Sequence, residues 1–257
     1  MSQETWAWDG SLEALLVLVR MAFLERDFPA SLILPGRSGD ELFAASAGLD
    51  RDASSVDPEA AEESLAWLKS RQPRLCAAAY RAWMAEEEVE TDLLEVAADC
   101  GQRGNLALAD YGRPALSRLA ASVRRVGKEI NHLEGFARFS LRKDGVWACV
   151  IEPVHNILPA LAPRFLGRFG DEAYSLCDLS RGYALWSAPA ADGGREIRGL
   201  RGDEMAAFLP DGSDTEDAEL WRSYFRIVEN QGRHNPLLQK SLMPKRYWKH
   251  LTEFGAF

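Results

Sequence analysis

The sequence predicts an α+β fold: a mainly helical N-terminal region over 1–133, then an α+β region over 134–257 built on a ββαββ antiparallel sheet and ending in a helical, basic and aromatic tail. Three observations predict it. Apolar residues recur every three or four positions from Pro114 to Leu133, which is a helical period. After Gly135 that period gives way to short runs joined by Lys143-Asp144-Gly145, and Asp-Gly is a hairpin signal. A second turn, Ser180-Arg181-Gly182, divides two further strand-like runs. A chain of 257 residues fits two small domains or one integrated domain.

Each element has its own reason. Ser11 caps a helix through Arg26, with Leu12, Leu15, Leu16, Val19 and Phe23 on one face. Asp57-Pro58 opens a second helix and Pro73 a third, through Met84. Thr91 caps a fourth that stops near Gly101 and Gly104. Glu86 to Glu88 reads as a solvated loop or helix end. In the helix from Pro114, the stripe Leu116, Leu119, Val123, Val126, Ile130 and Leu133 faces inward, with Arg118, Arg124, Arg125 and Lys128 opposite. That basic face fits either solvent or a phosphate backbone.

Phe136–Lys143 and Val146–Ile151 form the first hairpin. Residues 155–169 read as a helix interrupted by Pro159 and Pro163. Tyr174–Asp178 and Tyr183–Trp186 form the second hairpin, and Arg195–Leu200 adds an edge strand. Asp211 to Asp214 reads as a link. Thr215 caps a helix through Glu229, with Leu220, Tyr224 and Ile227 inward and Trp221 and Phe225 buried. A short final helix carries Arg246, Tyr247 and Trp248.

Composition excludes several classes. Apolar residues are 47% and charged residues 27%, ordinary globular values. No apolar run approaches the roughly 20 residues that span a bilayer. The N-terminus lacks a basic n-region, so no signal peptide is expected and the location is expected to be cytoplasmic. Cys76, Cys100, Cys149 and Cys177 are too scattered for a zinc ribbon or a disulfide framework. No P-loop, G-x-G-x-x-G, H-E-x-x-H or G-x-S-x-G occurs. No cofactor and no metal follows from the motifs.

The net charge is −9, unevenly spread. Residues 1–100 carry 8 basic and 20 acidic side chains, whereas 221–257 carry 7 and 2. Fields act over a Debye length of about 8–10 Å, so a basic tail on an acidic body can still meet a polyanion.

Three constellations could carry chemistry. Glu152 and His155, in Ile-Glu-Pro-Val-His-Asn at a strand exit, suit an acid–base pair or two metal ligands, with Asp178 as a guessed third. They equally suit an internal ion pair and a helix cap. Arg164 and Arg168, four apart on a helix, suit phosphate oxygens, or Asp171, Glu172 and Asp178 nearby. In the tail, Arg233, Asn235, Lys245, Arg246, Tyr247 and Trp248 mix cations with rings, the composition of a surface that neutralises phosphates and stacks bases.

These stretches resemble a known family. Ile-Glu-Pro-x-His-Asn-x-Leu-Pro-x-Leu-Ala-Pro (151–163), Arg-Phe (168–169), Leu-Trp-x-x-Tyr-Phe (220–225), Arg-x-Asn-Pro-x-Leu-Gln (233–239) and Met-Pro-Lys-Arg-Tyr-Trp (243–248) are similar to the bacterial "probable DNA metabolism protein" family. Trp8-Asp9-Gly10-Ser11-Leu12-Glu13 resembles its N-terminal motif. The resemblance implies a C-terminal domain of unknown function, DNA as a partner, and a radical-SAM protein that modifies or repairs DNA as another. Some members are fused to a uracil-DNA glycosylase-like domain. Asn131-His132 departs from the family's His-Arg, and Arg164 from its His. The expected role is thus a nucleic-acid-binding accessory to a radical-SAM enzyme. The alternatives are a hydrolase or glycosylase using Glu152 and His155, and a protein–protein adaptor whose basic tail meets an acidic partner; no membrane partner is expected on any of them.

Overall fold

Trp8-Asp9-Gly10-Ser11 is a helix-starting device. The Ser11 hydroxyl accepts from the Ala14 N–H at 3.1 Å, capping α1 (Leu12–Glu25). Asp9 Oδ1 in turn accepts from the Ser11 N–H at 2.8 Å and the Ser11 hydroxyl at 2.6 Å. The indoles of Trp8 and Trp83 donate to the carbonyls of Ser11 and Gly10 at 2.8 and 3.0 Å. The motif is therefore accounted for by local structure.

The computed structural model describes residues 5–29, 31–33, 56–103, 112–191, 193–212, 216–228, 235 and 242–252. The chain divides into two compact units: Met1–Glu129 with Val154–Ile157, and Ile130–Pro153 with Leu158–Phe257. In the first, α1 packs on α2 (Pro58–Arg71), α3 (Pro73–Met84) and α4 (Glu90–Arg103). Asp57 caps α2, and prolines stand at the starts of α2 and α3, where a missing N–H costs nothing. A Cβ at Gly101 would lie 1.9 Å from the Phe23 carbonyl oxygen, so only glycine permits the approach of α4 to α1. The helical reading missed one feature: β1 (Thr5–Ala7) pairs in parallel with β2 (Ser31–Ile33). Three-residue strands are too short to show a period of two.

Helix α5 (Pro114–Phe136) supplies residues to both units. Its stripe is as expected at Leu116, Leu119, Val126, Ile130 and Leu133, all buried. Ser122 and Glu129 are buried with them.

The second unit holds a five-stranded sheet in the order β3 (Phe139–Leu141), β4 (Trp147–Ile151), β5 (Tyr174–Asp178), β6 (Tyr183–Pro189), β7 (Arg195–Arg201). The expected antiparallel sheet is corrected at one pair, because β4 and β5 run parallel. Between them lie α6 (Leu158–Leu161), a 3₁₀ turn (Ala162–Phe165) and α7 (Leu166–Phe169). A crossover returns the chain to the same end of the sheet, which makes the pair parallel. Central β5 is buried throughout, and edge strand β7 is largely exposed. Phe139, Phe165, Phe169 and Tyr174 form an aromatic cluster, with centroids 4.6–6.2 Å apart. Cys177, Ala184 and Leu200 pack with Met205 of α8 (Gly202–Ala206).

Helix α9 (Glu216–Val228) contradicts its expected orientation. Leu220, Tyr224 and Ile227 are 68%, 54% and 81% exposed, and Trp221 is 37% exposed rather than buried. The Phe225 side chain lies outside the described residues. Among the described residues no helix is long and apolar enough to cross a membrane.

Candidate functional site

Two clusters join carboxylates to histidines, one in each unit. In the first, Glu129 is buried and accepts from the N–H groups of Val154 and His155 at 3.0 and 2.8 Å. The Asn156 N–H donates to the Met84 carbonyl at 2.9 Å. His155, also buried, accepts from the Glu86 N–H through Nδ1 at 3.1 Å, with Glu87 4.0 Å from that nitrogen. An accepting Nδ1 leaves the proton of the neutral ring on Nε2. Glu87 also receives the Ser122 hydroxyl at 3.0 Å and Arg125 at 3.0 Å. Burial pushes the Glu87 carboxyl up, but those partners outweigh it and hold it below the ordinary carboxylate range.

In the second unit the exit of β4 is fixed from both sides. The Leu179 N–H donates to the Ile151 carbonyl at 3.1 Å, and Arg181 Nη1 donates to the Pro153 carbonyl at 3.2 Å. Arg181 also holds Asp178 Oδ2 at 3.1 Å. Asp178 is fully buried, and burial pushes its carboxyl up to about 6 despite that arginine. Glu152, between the two tethered carbonyls, reaches outward. Its carboxylate pairs with Lys249 and lies 3.2 Å from His250 Nε2. The Lys249 hydrogen bond holds Glu152 below its usual range. Burial holds the His250 imidazole below its usual value, against the pull of Glu152.

Lys249 and His250 belong to the terminal 3₁₀ helix Lys245–His250. At three residues per turn its side chains form three rows. The inward row is Tyr247 and His250. Tyr247 is 2% exposed and packs on His132 and Phe136 of α5, with centroids 6.5 and 5.8 Å away. Its expected base-stacking role is therefore corrected: a ring buried to this extent is an anchor. The outward rows are Lys245 with Trp248, cation 5.8 Å from the ring, and Arg246 with Lys249. Arg246 lies 4.7 Å over Tyr247 and donates to its hydroxyl at 2.6 Å. The same end of α5 also meets the crossover: Arg164 pairs with Glu134 and donates to Asn131 at 3.3 Å.

The family model of a domain of unknown function, DUF4130, matches residues 87–253. The chain belongs to the DUF4130 family. No curated protein matches it, and no solved structure does. The DUF4130 match starts at Glu87 and takes in the carboxylates and histidines of both clusters, while α1 to α3 precede it.

The remaining predicted residues fall as follows. Glu152 and His155 have separate partners and belong to different units. Asp178 is committed to Arg181, and among the described residues no three His, Cys, Asp or Glu are placed to hold a metal ion. Arg168 lies over Phe139 and Phe169 at 5.4 and 5.5 Å. On α5, Arg118 grips Asp92 and Arg125 grips Glu87, so half of the supposed phosphate-tracking face neutralises its own unit. Asn235 is exposed, and Arg233 lies outside the described residues.

Sequence reasoning missed Glu129, His132, Lys249 and His250 as cluster members. One signal was available, because the chain has only four histidines. Of the three positions that depart from the resembled family, Asn131, His132 and Arg164, the first and last are hydrogen-bonded to each other. A change at one therefore has a physical reason to accompany a change at the other.

Proposed function

We propose that the second unit binds nucleic acid through the outward rows of the terminal 3₁₀ helix. One observation carries this reading: Lys245, Arg246 and Lys249 stand on six residues with Trp248 among them, and the carboxylate of Glu152 pairs with Lys249. Arg246 and Lys249 supply a row for phosphates, and the Trp248–Lys245 row offers a ring to a base. Glu152 is then the internal counter-charge that an incoming phosphate displaces from Lys249. Following the resemblance, the polymer is DNA, and the protein presents it to a radical-SAM enzyme that modifies or repairs it.

Fluorescence anisotropy with a short single strand and a duplex tests the binding. Three phosphate contacts on a single strand give a slope of about −2 in log affinity against log salt. Lys245→Glu with Arg246→Glu should weaken binding at least roughly tenfold. An absence of binding to either polymer at about 50 mM salt defeats the reading.

A second reading is favoured by the Glu152–His250 contact. A carboxylate beside a partly exposed imidazole is an acid–base pair, which would make the chain a hydrolase or glycosylase with His250 in the place expected of His155. Strand cleavage or base release that is lost in His250→Ala while binding persists would select it.

A further inference from the structure

Three helix faces of the first unit stop short of one another. Leu12, Glu13 and Leu16 share a face of α1, as do Glu62, Leu65 and Lys69 of α2 and Cys76, Ala77 and Tyr80 of α3, because each set recurs at intervals of three or four residues. Together they line a cavity of about 650 Å³. Packed helices leave few voids larger than a water molecule. Ligand sites, by contrast, run to roughly 300–1,000 Å³ and join apolar walls to a few placed polar groups. Leu12, Leu16, Leu65 and Ala77 are such walls, and Glu13, Glu62 and Tyr80 are the polar groups. Every lining residue precedes Glu87, where the DUF4130 match starts, so the cavity shares no residue with either carboxylate–histidine cluster.

We propose that this cavity binds a small hydrophobic ammonium ion, its charged head beside Glu13 and Glu62 and its apolar body along Leu12, Leu16, Leu65 and Ala77. Charge selects the sign of the ligand. Glu13 and Glu62 bring two carboxylates, whereas Lys69 stands two helical turns beyond Glu62 on α2, about 10.5 Å along the axis. Residues 1–100 carry 20 acidic and 8 basic side chains, so the surrounding field draws a cation and opposes an anion. Tyr80 adds an aromatic side chain, which a cation prefers to an aliphatic one. The apolar walls then separate such a ligand from an inorganic cation, which gains nothing from them.

Isothermal titration calorimetry of the full chain tests the site with octylammonium, octanol and octanoate, each below the concentration at which it forms micelles. Octylammonium should saturate one site per chain and bind at least roughly tenfold more tightly than octanol or octanoate. Glu62→Lys should weaken octylammonium at least roughly tenfold, by setting a like charge beside the head. Ala77→Trp should abolish its uptake by filling the cavity. Both side chains are exposed, so the circular dichroism spectrum should not change in either variant. Octanoate that binds as tightly as octylammonium overturns the proposal, as does the absence of saturable uptake. Octylammonium binding that is unchanged in Ala77→Trp assigns the attraction to the acidic surface and also overturns it.

Discussion

The two clusters use the same chemical groups for opposite ends. His155 and Glu129 are 4% and 3% exposed, and their polar atoms receive backbone N–H groups of the segment 154–157 and of Glu86. Glu152, three residues from His155 in sequence, meets a histidine and a lysine that water also reaches. A buried acceptor that satisfies backbone donors cannot leave without orphaning them, so it is structural. An exposed ion pair exchanges partners at little cost, so it is available for function. Sequence proximity says nothing about which role a residue takes; burial and the identity of the partner decide it.

The largest effect should come from the buried cluster. Glu129→Ala strips the acceptor from the buried His155 N–H and the part-buried Val154 N–H; a buried N–H left unmade costs about 1–3 kcal/mol, so urea denaturation should register a loss of about 2–4 kcal/mol. A loss below about 1 kcal/mol would erase the distinction between the clusters. Next comes Asp178. Its folded pKa, about 6, lies above the unfolded value of about 3.9, so the folded state holds the proton more tightly. The contribution to stability is complete below about pH 4 and is lost as pH rises through about 6, amounting to about 3 kcal/mol. The stability difference between wild type and Asp178→Asn, measured by urea denaturation at both ends of that window, should change by that order. A difference that does not vary with pH would show that Arg181 fully offsets the burial.

The smallest stability effect belongs to Glu152→Gln, under about 1 kcal/mol, because the pair it breaks is exposed. Its functional effect should be larger and opposite in sign. Freeing Lys249 should tighten single-strand binding and make the salt slope steeper by about 0.7, one added phosphate contact. Weaker binding, with the melting temperature unchanged, would make Glu152 itself a ligand-contacting group and revive its acid–base reading.

Much of the architecture was legible because it rests on local signals. Ser11, Asp57 with Pro58, and Pro73 mark helix starts through capping chemistry, and Asp144-Gly145 marks the first hairpin, with Gly145 at φ 82°. The parallel pairing of β4 with β5 was not legible, because periodicity reports which face is buried and not which neighbour lies alongside. At the clusters, sequence placed Glu152 at a strand exit correctly but could not supply its partners, which lie 97 and 98 residues away. Tyr247 misled for a related reason: tyrosine among cations suits a binding surface and an anchor equally, and only the rings of His132 and Phe136 tell them apart. The α9 stripe misled because amphipathic periodicity gives a direction without saying what lies in it.

The parallel pair also sets an order of assembly. The β3–β4 hairpin and the β5–β6–β7 meander each close through short turns and can form from neighbouring residues alone. Neither half can acquire the β4–β5 ladder until the chain between Ile151 and Tyr174 has been looped back, and the entropy of that closure precedes any reward from the contact. The sheet should thus assemble as two quick local pieces joined by one late step. Until that step is complete, the facing edges of β4 and β5 present unpaired backbone to any other strand in reach, so a nascent chain is most prone to misassociate at the seam that later holds Glu152 in place.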